Sequence, residues 1–196
     1  DAYVWECTCM VLRDWIDRNF VPLPISVNVS RANLDDSSFI DTLDDLIKKY
    51  DLPKNLLELE ITESVESEAT LRMTDMIKEH GYTLLMDDFG SGYSSLNTLQ
   101  NTKFDVLKLD REFFSSHMSN DRGKKIIMHT ISMSKDVGLG LIAEGVETDE
   151  QACFLSDCGC DAAQGYLFAK PMPVQDAEKY LKKKTGKAKV KQKELL

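Results

Sequence analysis

Four acids and one lysine stand where β-rich runs of this sequence end: Glu60, Asp87, Asp88, Glu144 and Lys108. The neutral side-chain oxygen of Asn28 joins them at the end of another run. Carboxylates gathered this way repel one another, and hard divalent cations are the natural partners of such an oxygen-rich set. Mg²⁺ or Mn²⁺ suits these ligands better than zinc, because no His or Cys lies near them in the pattern. Lys108 is the lone cation among the acids. Its ammonium can hold a developing phosphate charge or an attacking water, or it can simply neutralise one carboxylate. A metal-dependent enzyme acting on an anionic substrate follows. The residues alone leave phosphoester hydrolysis and enolate chemistry both open.

Other signals are weaker. The three histidines stand apart with no HExxH spacing, and five cysteines, unevenly spaced, do not form a disulfide framework in a chain of 196 residues. FGSGYSS at 89–95 is only a partial match to a phosphate-binding glycine pattern, with Ser95 in place of the last glycine. The net charge of −9 conceals a lysine-rich end, where residues 182–196 carry seven lysines and one glutamate. A body this acidic does not attract polymeric nucleic acid, and residues 182–196 are expected to be a solvated, disordered tail to a domain spanning 1–181.

The elements that position the acids are short and regular. Six apolar runs at 24–30, 56–62, 82–88, 104–110, 139–145 and 161–168 alternate with helical patterns, such as SFIDTLDDLIKKY with Phe39, Leu43, Leu46 and Ile47 on one face. Gly81, Gly138 and Gly159 each follow a helical run and precede a strand, the place of a left-handed helix stop. This alternation predicts an α/β protein with a parallel sheet. Polar groups at all six strand ends favour a TIM-like (β/α) barrel over an open doubly wound sheet, since every strand of a barrel ends at one mouth. Eight units close such a barrel. The sequence supplies an opening helix and six strands, so about two strands are expected to precede Asp1.

Read in order, SVNVS, LELEITES, DDFGSGYSSL, DVLKLD, LIAEGVET and QGYLFAKPMP resemble the successive motifs of the EAL domain, the bacterial phosphodiesterase of cyclic di-GMP. The resemblance implies a modified TIM barrel in which Asn28, Glu60, Asp87, Asp88 and Glu144 bind one or two Mg²⁺ or Mn²⁺ ions. It implies that Lys108 positions the catalytic water with Glu144 also at the reacting centre, and that Asp110, Glu147 and Gln164 line the substrate site. Glu63 would brace the loop Phe89, Gly90, Ser91, Gly92, Tyr93, Ser94 and Ser95, which couples dimerisation to metal binding. The implied reaction opens cyclic di-GMP to linear pGpG by metal-activated water, in a cytoplasmic homodimer whose parent carries sensory or GGDEF domains upstream. The EAL signature itself and the arginine near it are absent from these residues, so the piece alone is expected to be inactive. The competing expectation is a catalytically silent EAL module that binds cyclic di-GMP or a protein partner.

Overall fold

The computed structural model describes residues 1–36, 38–62, 68–91 and 95–193. The chain opens with α1 (Ala2–Asp17), whose buried residues Trp5, Cys9, Leu12 and Trp15 recur at helical spacing. Six strands follow, separated by helices: β1 (Ile25–Asn28), α2 (Arg31–Leu34), α3 (Ser38–Lys49), β2 (Leu57–Thr62), α4 (Glu68–Glu79), β3 (Thr83–Phe89), α5 (Ser95–Asn101), β4 (Val106–Leu109), α6 (Arg111–His117), α7 (Asp121–Asp136), β5 (Gly140–Ala143), α8 (Asp149–Asp157), β6 (Ala162–Ala163) and α9 (Val174–Lys193). Every strand pair is parallel, and the sheet order is β1-β2-β3-β4-β5-β6. Among the described residues β1 and β6 are edges, so the sheet is part of a barrel and not a closed one.

Helix ends carry the chemistry that the sequence suggests. Gly81, Gly138 and Gly159 adopt φ of +84°, +79° and +76°, the left-handed geometry that stops a helix without a Cβ penalty. Thr148 and Gln151 form a reciprocal capping box at the start of α8.

Register decides what faces the barrel axis. Asn28 pairs with Glu60, and Glu60 with Leu85, which is two residues before Asp87. Leu85 pairs with Val106, two before Lys108; Lys108 pairs with Ile142, two before Glu144. Ile142 pairs with Ala162, two before Gln164. With a side-chain period of two, all these polar groups share one face of the sheet. The other face carries Leu57, Leu59, Ile61, Leu84, Met86, Leu107, Leu109 and Leu141, all buried in the core packed by the helices. No described helix is long and apolar enough to cross a membrane.

The sixth strand is shorter than the run 161–168 predicts. Regular pairing covers Ala162 and Ala163, and the ladder continues only to Gln164, whose N–H donates to Ala143 O at 2.8 Å. Gly165 then lies against the Val146 backbone, where a Cβ would collide with it. The chain folds over that point, with the Leu167 N–H bonded to Val146 O and the Phe168 N–H to Gly165 O. A strand could not make that turn.

Candidate active site at the sheet's C-terminal end

β2, β3, β4 and β5 each deliver one charged side chain to a single point. The Lys108 ammonium lies 3.0 Å from Glu60 Oε1, 2.8 Å from Asp87 Oδ1 and 2.8 Å from Glu144 Oε1. Its side chain is 7 % exposed, and those of the three acids are 9, 14 and 17 % exposed. Ser26 Oγ donates to Glu60 Oε1 at 2.5 Å, and Gln164 Nε2 donates to Glu144 Oε1 at 2.6 Å. Neighbouring strands therefore orient two of the three carboxylates from outside the cluster.

The electrostatics are lopsided. Burial works against the Lys108 ammonium, but hydrogen bonds to Asp87, Glu144 and Glu60 outweigh it and raise its pKa above that of an ordinary lysine. Glu144 shifts upward as well: burial dominates, Lys108 opposes it, and the Asp87 and Glu60 charges add to the rise. An ion pair of one acid and one base would move the two in opposite directions. Here one ammonium serves three carboxylates, so the lysine gains from all three while each acid also feels its two neighbours. The cluster keeps a formal surplus of two negative charges.

The adjacent aspartates are accommodated by a β-bulge. Met86 pairs with Leu107 and Phe89 with Leu109, leaving Asp87 and Asp88 opposite Lys108 alone. Asp88 takes φ of +58°, a left-handed conformation in which Asp is among the better-tolerated non-glycine residues. The turn lets Asp87 point at Lys108 while Phe89 returns to the core at 5 % exposure. Within the protein, Lys108 offsets the charge of Asp87.

Of the five oxygen ligands expected from the sequence, Glu60, Asp87 and Glu144 converge. Asn28 is level with Glu60 at the exposed end of β1, and its main-chain carbonyl oxygen accepts from Trp5 Nε1 at 3.1 Å. Asp88 adjoins the cluster through the bulge. The donor chemistry fits a hard cation, since buried carboxylates with a negative surplus remain. Among the described residues, however, no group of His, Cys, Asp or Glu forms a ready metal cage. The position between the three carboxylates is taken by the Lys108 ammonium.

The three residues expected to line the substrate site, Asp110, Glu147 and Gln164, each have a partner within the protein. Asp110 Oδ1 accepts from the N–H groups of Glu112 and Phe113, which makes it the N-cap of α6. Glu147 pairs with the Arg111 guanidinium at 2.9 Å. Gln164 bonds Glu144 directly. Glu144, Glu147, Gln164 and Arg111 line a cavity of about 560 Å³, walled further by Tyr166, Lys170 and Tyr180. Phe89 is a core residue; Gly90 and Ser91 form the turn after β3, with the Ser91 N–H donating to Asp88 O at 3.1 Å, and Ser95 begins α5. Glu63, Gly92, Tyr93 and Ser94 lie outside the described residues. Sequence reasoning missed Ser26 and Arg111. Ser26 precedes Asn28 by two and so shares its face, a signal available from strand parity alone.

A family model for the EAL domain matches residues 1–171. The cyclic di-GMP phosphodiesterase NbdA of Pseudomonas aeruginosa is 34 % identical over 185 residues, covering 93 % of this chain and 24 % of that protein. The cyclic di-GMP phosphodiesterase RocR of the same organism is 36 % identical over 157 residues, covering 79 % of this chain and 40 % of that protein. The chain thus spans well under half the length of these curated relatives. Among solved structures, the EAL domain of Mycobacterium smegmatis DcpA superposes with a TM-score of 0.84 at 33 % identity, covering 92 % of this chain and 83 % of that one. The PaMucR phosphodiesterase in complex with c-di-GMP gives a TM-score of 0.82 at 30 % identity, covering 90 % and 72 %.

Proposed function

This chain belongs to the EAL domain family, and from that premise we propose that it supplies the reacting centre of a phosphodiesterase converting cyclic di-GMP to linear pGpG. The observation that carries the reading is the buried Lys108 ammonium ringed by Glu60, Asp87 and Glu144. In the reaction a water oxygen bonds to phosphorus, the bond from phosphorus to the ribose 3′ oxygen breaks, and that oxygen leaves with a proton. Glu144 is the stronger base of a buried carboxylate with raised pKa, suited to take the proton of the attacking water. Lys108 orients Glu144 and presents positive charge where the phosphoryl oxygens gain negative charge. Gln164 holds the Glu144 carboxylate from β6. Arg111, Glu147, Tyr166 and Lys170 border the cavity beside it, a wall suited to an anionic dinucleotide.

Asn28, Glu60, Asp87, Asp88 and Glu144 would hold one or two Mg²⁺ or Mn²⁺ ions. When bound, these supply Lewis-acid charge at the phosphate and lower the pKa of water. The acidic chain is not a reader of polymeric nucleic acid. A cytoplasmic homodimer completes this reading, with the loop that begins at Phe89 at the subunit contact; sedimentation velocity checks the assembly.

A binding-only module is the second reading. It is favoured by the engagement of all three carboxylates with Lys108 and by the lack of a ready metal cage among the described residues. Product analysis separates the two. The chain is joined to the two N-terminal strand–helix units that an eight-unit barrel requires, then given cyclic di-GMP with Mg²⁺ or Mn²⁺. The expected product is pGpG, with Lys108→Ala lowering kcat by a factor on the order of 10² and weakening binding less. Tight binding without pGpG from the wild-type protein selects the silent module.

A further inference from the structure

The Asp87–Asp88 bulge is not held by the sheet alone. Gly90, two residues past Asp88, has φ of +96° and lies against the ring of Phe113 on α6. A Cβ at Gly90 would come within 2.7 Å of Phe113 Cγ and closer still to Cδ2. The ring is backed by the His117 imidazole, stacked at 4.2 Å between centroids with 28° between planes. His117 Nδ1 lies 2.7 Å from Phe113 O one turn earlier, which ties the imidazole to the same helix. The helix itself is fixed to β3: the Asp110 N–H donates to Phe89 O at 3.1 Å, and the Asp110 carboxylate caps the N–H groups of Glu112 and Phe113. The far side of the bulge thus rests on an aromatic ring whose position is set by a capped helix.

We propose that Phe113 is a positioning residue: its ring, seated against Gly90, holds the Asp87–Asp88 bulge in the conformation that delivers Asp87 to Lys108. A left-handed non-glycine residue carries strain that its surroundings must hold in place, and the strand cannot do so alone, because regular pairing stops at Met86 on the β4 side and at Asp87 on the β2 side, so that Asp88 has no regular partner on either. The Phe113 seat supplies the constraint from the other side. Asp110 serves the same end by capping α6 and bonding Phe89. The inference rests on reading the Lys108 cluster as the reacting centre, but the experiment reads the cluster's geometry and not turnover. Failure here leaves the phosphodiesterase reading standing, and absence of pGpG leaves this one standing.

The test uses the 196-residue chain. The rate at which an amine-acylating reagent modifies Lys108 is measured by peptide mass spectrometry, with the exposed lysines as internal reference. Phe113→Ala should speed Lys108 modification about tenfold, the loss of one charge-assisted hydrogen bond, while circular dichroism reports a folded chain. Phe113→Tyr keeps the ring and should restore the slow rate. Phe114→Leu, at a fully buried core position next door, should lower Tm and leave Lys108 slow well below the melting range. If Phe113→Ala does not fold, Phe113→Leu is read by the same criteria. An unchanged Lys108 rate in the folded Phe113 variant overturns the proposal, as does an equal rise in Phe114→Leu.

Discussion

Replacing Lys108 by methionine keeps most of the buried stem and removes the one cation shared by three carboxylates. Two oxygens each within 3.0 Å of Nζ lie at most about 6 Å apart, so at an effective dielectric of about 20 each pair of charges repels by roughly 3 kcal/mol. That repulsion is present in the wild type too, where the ammonium outweighs it. Without the ammonium the acids relieve part of it by binding protons, and the net loss should match the roughly 3–5 kcal/mol typical of breaking a buried ion pair. At about 2–4 °C per kcal/mol for a chain of this size, Tm at pH 8 should fall by roughly 6–20 °C. The pH dependence gives the sharper check. In the variant the unpaired carboxylates have folded pKa values above their unfolded ones, so their penalty is full at pH 8 and fades as pH falls through those raised values. In the wild type Lys108 has a raised pKa, so its contribution is constant below about pH 10.4 and declines only above it. The gap between the two proteins should therefore narrow between pH 8 and pH 5. Thermal unfolding followed by circular dichroism measures both effects. A variant melting within about 2 °C of wild type at pH 8, or a gap that widens toward acid, would refute the idea that Lys108 holds together mutually repelling charges.

Glu144→Gln should behave in the opposite way. Burial, Asp87 and Glu60 together disfavour the ionised form more than Lys108 favours it. The amide should therefore melt at or above the wild-type Tm at pH 8, while turnover in the completed barrel falls by a factor on the order of 10² or more; a melting loss as large as that of Lys108→Met would sink this reading. Asp110→Ala removes a two-bond N-cap and should cost about 1 kcal/mol, read as a drop of a few degrees in Tm without ligand. No change in Tm would return Asp110 to a purely ligand-facing role.

Much of the architecture was legible because polar residues at strand ends obey parity. Asn28, Glu60, Lys108, Glu144 and Gln164 each sit an even number of residues from a paired partner on the same face, and the six parallel strands follow in sequence order. The over-long sixth strand has a local cause. GYLF has the apolar and aromatic content of a strand, but the close approach of Gly165 to the Val146 backbone is a tertiary fact that no periodicity carries. Asp110 has a further role, as the cap of α6, that was hidden for a related reason. A residue at a strand end is also the residue before a helix, and Asp serves both places equally well by composition. Only the hydrogen bonds from Glu112 and Phe113 assign it to the cap.

The aspartate pair was the hardest part to read. Strict alternation would send Asp87 and Asp88 to opposite faces, one of them into the apolar layer against the helices. From the sequence, the repulsion between adjacent carboxylates called for a metal to make the pair tolerable. The structure resolves it with backbone geometry first: two β3 residues oppose one on β4, Asp88 turns left-handed, and the residue opposite is the lysine. The sequence carries a trace of this solution in Gly90, whose positive φ and missing Cβ admit the Phe113 ring. The bulge sets which oxygen reaches Lys108, while the surplus negative charge of the cluster leaves room for a further cation. Pairing by the lysine and attraction for a cation are therefore separate matters: the bulge fixes the first, and the surplus negative charge bears on the second.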